Sequence, residues 1–354
     1  MELKEWICRL SAFMSVTGYE DYSAEELRRL TNGLFDEYHI DALKNQVLVK
    51  KCGRENAPRL LVDTHFDEIG MYVSDIKEGG FLSVTNVGGL DTRILEGAPV
   101  MIFGKEVIFG VIAATPAHLI DEKEKDKLKK IDQLLIDTGY TEETLHKLVR
   151  VGTPVGYYGF YSDLGEYQMA GKGFDDKACA ACAVYALSQL GTEELAGDVY
   201  LMLSAHEETD RLGGIFSGAY AIDPDYAMVI DVNLGKTPDT KSRETVKMGG
   251  GASVTLSAVT DKHLTRMTCE LAEQKGIAYQ KCVSADSTGT NATSLVLVRE
   301  GVPTVDVGLP LKSMHTYNEV LDLRDATSLS QLVSAFVTSR DIAQRFERKG
   351  GEKQ

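Results

Sequence analysis

An apolar run that ends in two consecutive glutamates constrains the fold more than any other feature of this sequence. Residues 197–203 are mostly apolar, with large and β-branched side chains, a composition typical of a buried strand. Glu207 and Glu208 follow that predicted strand almost directly. Because ligands bind at the carboxyl ends of strands in open α/β sheets, the pair is a candidate for a site. Adjacent glutamates are also common on solvated loops, so this interpretation needs partners from elsewhere in the chain.

Other predicted element ends supply those partners. Predicted strands lead into or toward His65, Asp231 and His315, and a predicted helix follows Asp175-Asp176; these elements lie at 59–64, 226–230, 302–308 and 177–187. Together with Glu208, the donors are two imidazoles and three carboxylates, without a thiolate, and such a set suits zinc, cobalt or manganese. Each residue also has an ordinary alternative, because Asp commonly caps loops and buried His is commonly satisfied by hydrogen bonds.

The order of these residues resembles the dinuclear metallo-aminopeptidases of the M42 family, the group of glutamyl, leucyl and tetrahedral aminopeptidases. The matching elements, in chain order, are His65-x-Asp67, Asp175-Asp176, Glu207-Glu208, Asp231 and His315. The segment His-Phe-Asp-Glu-Ile-Gly at 65–70 is the most specific match, and the resemblance covers nearly the whole chain. It implies an α/β fold with a mixed central sheet covered by helices on both faces, as in zinc peptidases, and a small inserted β-rich, PDZ-like domain.

The resemblance further implies a site for two divalent metal ions per subunit, with zinc as the first choice and cobalt or manganese as alternatives. Asp175 would be the ligand that bridges the two ions. His65 and Asp231 would complete the ligand set of the first ion. Glu208 and His315 would complete that of the second ion.

Two further roles come with the resemblance. Glu207 would be the general base beside the attacking water. Asp67 would accept the second N–H of the His65 imidazole and so fix its tautomer. The peptide bond between Asp175 and Asp176 would be cis.

The middle of the chain differs in character from its two ends. Short strand-like pieces separated by glycine-containing turns fill the segment from 69 to about 169, whereas helices and strands alternate on either side. We therefore predict a discontinuous catalytic domain at 1–68 and 170–354, and an inserted β-rich oligomerisation domain at 69–169. The resemblance implies a large homo-oligomer, with a hollow tetrahedral dodecamer as one form. The charged run at 121–127 predicts a solvated loop or helix face.

Local patterns predict several helix boundaries. Ser23 and Glu26 form a capping-box pattern, which predicts a helix that continues to about Leu34. Further helices are predicted at 261–275 and from 326 to about 348.

Composition narrows the range of partners. The chain has 38 basic and 53 acidic residues and a formal net charge of −15, which repels phosphate backbones and anionic lipids. We therefore expect short peptides as substrates, and neither nucleic acid nor membrane as a partner. No signal-peptide pattern is visible and the six cysteines do not suggest a disulfide framework, so we expect a cytoplasmic protein. The Cys179-x-x-Cys182 motif lies in a predicted alanine-rich helix, where we expect it to pack in the core.

Metal-dependent removal of N-terminal residues is the function that these features favour over three alternatives. A dinuclear-zinc amidohydrolase, deacylase or carboxypeptidase shares much of the ligand order, but its extra domain follows the fourth ligand. A glycosidase needs a pair of carboxylates and would not require His65 or His315. A non-catalytic assembly protein would not need a complete ligand set beside a free Glu207.

The sequence departs from the family pattern at positions that are not predicted ligands. The departures are His206 before the glutamate pair, Thr209-Asp210 after it, Lys177 and Asn291. They leave open which N-terminal side chain is preferred. His206 and three histidines elsewhere, His118, His146 and His263, have no ordered partners in the sequence, and we predict no site role for them.

Overall fold

A computed structural model of the protein describes residues 1–120, 127–209, 212–241 and 245–346. The charged run at 121–127 lies outside the described residues except for Lys127, as does Asp210. The helices of the described part are α1 (Leu3–Ser11), α2 (Ala24–Leu30), α3 (Glu142–Leu148), α4 (Phe174–Ser188), α5 (Gly213–Ile222), α6 (Lys262–Lys275), α7 (Ala292–Leu295), α8 (Leu323–Thr338) and α9 (Arg340–Phe346). None of them has the length and apolar character that a bilayer span requires.

The strands belong to a sheet and to a barrel. In the first part of the chain they are β1 (Glu37–Ile40), β2 (Gln46–Lys50), β3 (Arg59–His65), β4 (Gly70–Lys77), β5 (Phe81–Val87), β6 (Pro99–Phe103), β7 (Val107–Ile112), β8 (Leu135–Asp137) and β9 (Pro154–Tyr157). The later strands are β10 (Ser162–Leu164), β11 (Gln168–Gly171), β12 (Asp198–Ser204), β13 (Tyr226–Leu234), β14 (Ala252–Ser257), β15 (Tyr279–Ser284), β16 (Thr304–Lys312) and β17 (Glu319–Asp322).

The central sheet is mixed, and its parallel middle positions the site. Its order is β1-β2-β12-β3-β13-β16-β17-β11-β10, with β14 paired to β16 and β15 to β14. The four strands β12, β3, β13 and β16 run parallel to one another. Parallel strands end at the same edge of a sheet, and here His65 lies opposite Ser204. The loop that carries Glu207 and Glu208 therefore begins beside His65.

Alternate residues of the central strands pack against helices on opposite faces of the sheet. Leu60 and Val62 of β3 belong to the core that includes side chains of α1, α4, α6 and α8. Leu61, between them, belongs to the core with α5 and α7. Successive side chains of a strand point to opposite sides, so a strand buried on both faces is mainly apolar, as residues 60–62 of β3 are. The structure thus confirms the predicted α/β fold with a mixed central sheet and helices.

A closed six-stranded barrel lies in the segment between β3 and β11. Its strand order is β4-β5-β8-β7-β6-β9, and β9 pairs back onto β4. It has its own core, which includes Met71, Leu82, Val100 and Ile136. All barrel strands lie inside the predicted insertion at 69–169. The boundaries of that domain and its PDZ-like character remain predictions.

Some local expectations are corrected by tertiary contacts. Ser23 precedes α2 but forms no capping box, because its hydroxyl donates to the carbonyl of Met14 at 3.0 Å, and α2 ends at Leu30. The predicted closing helix is interrupted at Ser339 and becomes α8 and α9, and its predicted end at 348 lies outside the described residues. The predicted helix at 261–275 is confirmed as α6, with Asp261 as its N-cap.

Candidate metal centre

Asp175 lies between the two imidazoles that the sequence singles out. Its Oδ1 is 3.0 Å from Nε2 of His65, and its Oδ2 is 3.3 Å from Nε2 of His315. Nε2 of His315 is also 3.3 Å from Oε2 of Glu208. The carboxylate of Asp175 therefore faces a separate nitrogen donor on each side. This arrangement is suited to a ligand shared by two cations.

The remaining predicted donors lie on the His65 side of the cluster. Oδ1 of Asp231 is 3.8 Å, and Oε2 of Glu207 is 4.0 Å, from Nε2 of His65. The ligand atoms form two groups, and within each group they all lie within 4.8 Å of one another. One group comprises His65, Asp175 and Glu208, and the other comprises His65, Asp176 and Asp231. The structure therefore brings together all five predicted ligands and Glu207.

Asp176 is a member of the cluster that was not predicted as a ligand. Its Oδ2 accepts the hydroxyl of Thr64, while its buried Oδ1 has no hydrogen-bond partner. The sequence singled it out only for its peptide bond with Asp175, which is cis as predicted. A carboxylate that groups with His65 and Asp231 and has an oxygen without a hydrogen-bond partner makes Asp176 a further candidate donor.

Each donor is positioned by a different type of local structure. His65 is the last residue of β3, and Asp175 has non-helical backbone angles within the first turn of α4. Asp231 lies inside β13 and not at its end, because the pairing with β16 continues as far as Leu234. His315 lies in the loop between β16 and β17. The prediction that every donor marks an element end is therefore wrong for Asp231.

Asp67 contacts the site through atoms other than those predicted. Nδ1 of His65 lies 3.0 Å from the main-chain oxygen of Asp67 and 3.7 Å from its carboxylate. The carboxylate instead accepts the N–H groups of Glu207 at 3.0 Å and Glu208 at 3.1 Å, and the hydroxyl of Thr17 at 2.8 Å. The predicted bond from the imidazole to the carboxylate is thus replaced by one to the carbonyl. The carboxylate holds the loop that bears the glutamate pair.

Glu20 is a buried carboxylate in this region that sequence reasoning missed. It accepts the N–H of Gly18 at 2.9 Å and that of His206 at 3.3 Å. Three consecutive amides, those of residues 206, 207 and 208, therefore donate to buried carboxylates. No local sequence signal distinguishes Glu20 from the other acidic residues near it.

His206 and the other histidines predicted to have no site role differ in their surroundings. His206 lies next to the site, with Nε2 at 3.7 Å from Glu20. His146 lies on α3 beside Glu142, and His263 lies in the first turn of α6. Cys179 and Cys182 are fully buried in α4, as expected for core packing.

The electrostatics of the cluster are those of buried, unbalanced negative charge. Burial raises the pKa of Glu207 to about 7 against the lowering effect of His65, and Glu208 adds to the rise. Burial and the neighbouring Asp176 raise the pKa of Asp231 well above its ordinary value. Hydrogen bonds to Asp175 and Glu208 raise the pKa of His315 to about 11. Burial is thus the largest cause for the two carboxylates, and negative neighbours add to it. Asp175 differs, because His315 and His65 hold its pKa below the ordinary value against the effect of burial.

The donor set fits a pair of divalent cations. Two imidazoles and several carboxylates form an all-nitrogen-and-oxygen set, which suits zinc, cobalt or manganese. Divalent cations would also stabilise the ionised forms of Glu207 and Asp231, whose pKa values are raised by burial and by neighbouring carboxylates.

Known proteins share this architecture over the full length of the chain. A lysyl aminopeptidase of Pyrococcus furiosus is 30% identical over 328 residues, which cover 91% of this chain and 93% of that protein. Among solved structures, aminopeptidase APDkam598 from the archaeon Desulfurococcus kamchatkensis has a TM-score of 0.88 at 28% identity, with 99% of each chain covered. The TET1 peptidase of Pyrococcus horikoshii, which can assemble into a tetrahedron or a large octahedral shell, has a TM-score of 0.83 at 29% identity, with 95% of this chain and 99% of that chain covered.

The family follows from the sequence match. The sequence profile of the M42 glutamyl aminopeptidase family matches residues 45–332, a span that runs from β2 into α8 and includes all the donors described above. The chain therefore belongs to the M42 glutamyl aminopeptidase family, as the resemblance predicted, and is an aminopeptidase that hydrolyses peptide bonds.

Proposed function

We propose that this protein is a metal-dependent aminopeptidase that holds two divalent ions on either side of Asp175 and removes N-terminal residues from short peptides. The observation that supports it most strongly is the position of the Asp175 carboxylate. Its two oxygens lie 3.0 Å and 3.3 Å from the imidazole nitrogens of His65 and His315, respectively. A single buried side chain thus connects two separate donor groups.

The proposed ligand assignment follows the two sides of the cluster. His65 and Asp231 would hold one ion with Asp175, and Asp176 lies within reach of the same group. Glu208 and His315 would hold the other. Zinc is the proposed metal, with cobalt and manganese as alternatives. Cations bound there act as Lewis acids toward the scissile carbonyl and make a nearby water more acidic.

Glu207 is the proposed general base. Its carboxylate lies at the edge of the cluster, 4.0 Å from Nε2 of His65, and burial raises its pKa to about 7. A carboxylate in this position can take a proton from the attacking water and later deliver it to the departing amine. The bond from the Glu207 N–H to Asp67 keeps the base in place during both transfers.

The family match favours an aminopeptidase over the related deacylases and carboxypeptidases. An aminopeptidase substrate has a free N-terminal ammonium group, whereas a deacylase substrate has a blocked amine and a carboxypeptidase substrate is cleaved beside its free carboxylate. The preferred N-terminal side chain is a separate property, and lysyl is the specificity in the name of one relative.

Metal analysis and a panel of substrates test this function. We expect the purified protein to contain two equivalents of a divalent metal, to lose activity on chelation and to regain it with zinc, cobalt or manganese. It should hydrolyse leucyl, lysyl or glutamyl p-nitroanilide, and it should not hydrolyse the matching N-acetylated amides. Hydrolysis of only the N-acetylated compounds would identify a deacylase, and a protein that contains no metal and has no activity would contradict the proposal.

We also propose that residues 69–169 form a PDZ-like oligomerisation domain and that the protein is a homo-oligomer. The barrel presents the side chains of Val107, Phe109 and Val111 to solvent from one strand, β7, and Phe109 packs edge-on against Tyr158. Exposed apolar surface of this kind marks a contact with another protein. A relative that assembles into a tetrahedron or an octahedral shell adds support.

Native mass spectrometry tests the assembly. Phe109→Glu should reduce the number of subunits, because it places a charge in the proposed contact. Lys105→Glu, an exposed change in the turn between β6 and β7, is the matched control and should leave the assembly intact. A wild-type protein that is monomeric at all concentrations would exclude the oligomer, and a Phe109→Glu protein of wild-type size would exclude this surface.

A further inference from the structure

We infer that Glu319 is a positioning residue that sets the placement of His315 relative to Asp175. The inference rests on the proposed function, because it assigns to Glu319 the task of holding two proposed ligands. Glu319 is buried, with 2% of its surface exposed. No step of the proposed reaction uses it.

The carboxylate of Glu319 joins the main chains of the two loops that carry these ligands. Its Oε2 accepts the N–H of Phe174 at 2.6 Å and that of Asp175 at 3.1 Å. Its Oε1 accepts the N–H of His315 at 3.1 Å. The two oxygens of one side chain therefore hold two loops that are far apart in the sequence.

Strand pairing explains why Glu319 lies where both loops meet. Glu319 is the first residue of β17, and its antiparallel partner is Gly171, the last residue of β11. The chain leaves β11 at Gly171 and reaches Asp175 four residues later, and it enters β17 four residues after His315. Both loops therefore start from the same end of one strand pair, with the Glu319 side chain between them.

The backbone of His315 depends on such an anchor. His315 has a φ of +61°, in the left-handed region that residues other than glycine adopt at a cost in free energy. Such conformations persist where surrounding contacts fix them. Glu319 supplies the acceptor for the N–H of His315. A Cβ added at Gly89 would lie 3.2 Å from Nδ1 of His315, so the backbone of Gly89 lies close to the imidazole.

Only a carboxylate satisfies all three N–H donors. Glutamine has the same shape, but its amide has one acceptor oxygen and an NH2 group that cannot accept. In Glu319→Gln, one of the two loops must face that NH2 group. We expect the loop of His315 to lose its anchor, because the other loop offers two donors to the single remaining oxygen.

The test measures metal binding directly, by titration of metal-free full-length protein with Co²⁺ and Zn²⁺, together with the visible spectrum of the Co²⁺ form. Changes in residues that orient metal ligands lower affinity by roughly 10- to 100-fold. We expect Glu319→Gln to bind one ion with wild-type affinity and the second at least about tenfold more weakly, with an altered Co²⁺ spectrum.

A matched control separates this role from a general loss of stability. Asp325 is another buried carboxylate that accepts two backbone N–H groups, those of Gly249 and Gly251, each at 2.7 Å. Asp325→Asn should lower the melting temperature and leave both metal affinities and the Co²⁺ spectrum unchanged. Glu319→Asp keeps a carboxylate on a shorter side chain, and it replaces Glu319→Gln in the titration if that variant does not fold.

The outcomes distinguish this inference from the proposed function. A wild-type protein that does not bind two ions contradicts the proposed function itself. A wild-type protein that binds two ions, together with a folded Glu319→Gln or Glu319→Asp variant that binds both with wild-type affinity, overturns only the role of Glu319. The role of Glu319 is supported if its variant binds one ion selectively more weakly while Asp325→Asn binds both ions with wild-type affinity.

Discussion

Two neighbouring clusters of buried ionisable side chains balance their charges in different ways. In the first, the lysine-balanced cluster of Glu68, Lys172 and Lys177, the Glu68 carboxylate lies 2.9 Å from Nζ of Lys172 and 3.0 Å from Nζ of Lys177. In the second, the donor cluster, the ion-pair partners of Asp175 and Asp231 among the described residues are the imidazoles of His65 and His315. Glu68 comes three residues after His65 in the chain, and the two lysines flank the Asp175-Asp176 pair.

The pKa values of Glu68 and Glu207, one carboxylate from each cluster, shift in opposite directions. Burial alone would raise the pKa of Glu68, but Lys172 and Lys177 hold it below its ordinary value. In the donor cluster, burial raises the pKa of Glu207 to about 7. The lysine-balanced cluster is therefore a complete structural unit, whereas the donor cluster is suited to an added positive charge. This difference separates a buried ion pair from a candidate metal site better than the number of acidic residues does.

The largest expected effect is on catalysis, from a change within the donor cluster. Glu207→Gln should lower kcat by roughly 100- to 10,000-fold, because the base is lost while the shape is kept, and metal content should stay at the wild-type level. Kinetics with an aminoacyl p-nitroanilide measure kcat, and metal analysis of the same sample measures the metal content. Glu208→Gln is the paired variant and should lose metal as well as activity. Wild-type kcat in Glu207→Gln would remove Glu207 from the mechanism.

The second prediction concerns the lysine-balanced cluster. Lys177→Met should lower the free energy of unfolding by about 3 kcal/mol, because it leaves Glu68 with a single lysine, and removing one partner of a buried ion pair is costly. It also deprives the carbonyl of Phe13 of the donor that lies 2.7 Å away. Metal stoichiometry should be unchanged. Guanidinium unfolding and metal analysis measure the two properties.

A surface ion pair provides the control for Lys177→Met. Lys4 pairs with Asp163, and their side chains are 46% and 61% exposed. Lys4→Met should change the free energy of unfolding by about 0–1 kcal/mol, because exposed pairs contribute little. An equal effect of the two substitutions would show that the buried cluster is not the structural unit described here.

The last prediction concerns a buried carboxylate outside both clusters, and its effect is confined to the pH dependence of stability. Asp306 accepts the hydroxyl of Thr290 at 2.7 Å, and burial raises its pKa to about 6. An acid with a raised pKa keeps its proton in the folded state, so its contribution to stability is lost as pH rises from about 4 through 6. The loss is at most about 3 kcal/mol, since each pKa unit corresponds to about 1.4 kcal/mol.

Asp306→Asn should remove this pH dependence. The difference in free energy of unfolding between the variant and the wild type should shift in favour of the variant between about pH 4 and about pH 7. The exposed Asp132→Asn serves as a control and should show a constant difference. A constant difference for Asp306→Asn as well would indicate that Asp306 is ionised throughout this range.

Local patterns in the sequence were sufficient for part of the site. The imidazoles and carboxylates at 65, 175, 208, 231 and 315, and the glutamate at 207, were all predicted, and the structure brings them together. The prediction was possible because most of these residues follow runs whose periodicity identifies strands or helices. The extension of β13 past Asp231 was missed, since strand length depends on the pairing with β16.

The sequence by itself determined the chemistry of this protein, that is, the donor types, their order along the chain and the alternation of elements that carries them. These are local properties, encoded within a few residues of each motif. Only the tertiary structure decided which atoms form the hydrogen bonds that position the donors. Asp67 uses its carbonyl toward His65 and its carboxylate toward Glu207, and Glu319 links the main chains of Asp175 and His315, which lie 140 residues apart. Those contacts depend on strand pairing and loop packing, which no short stretch of sequence specifies.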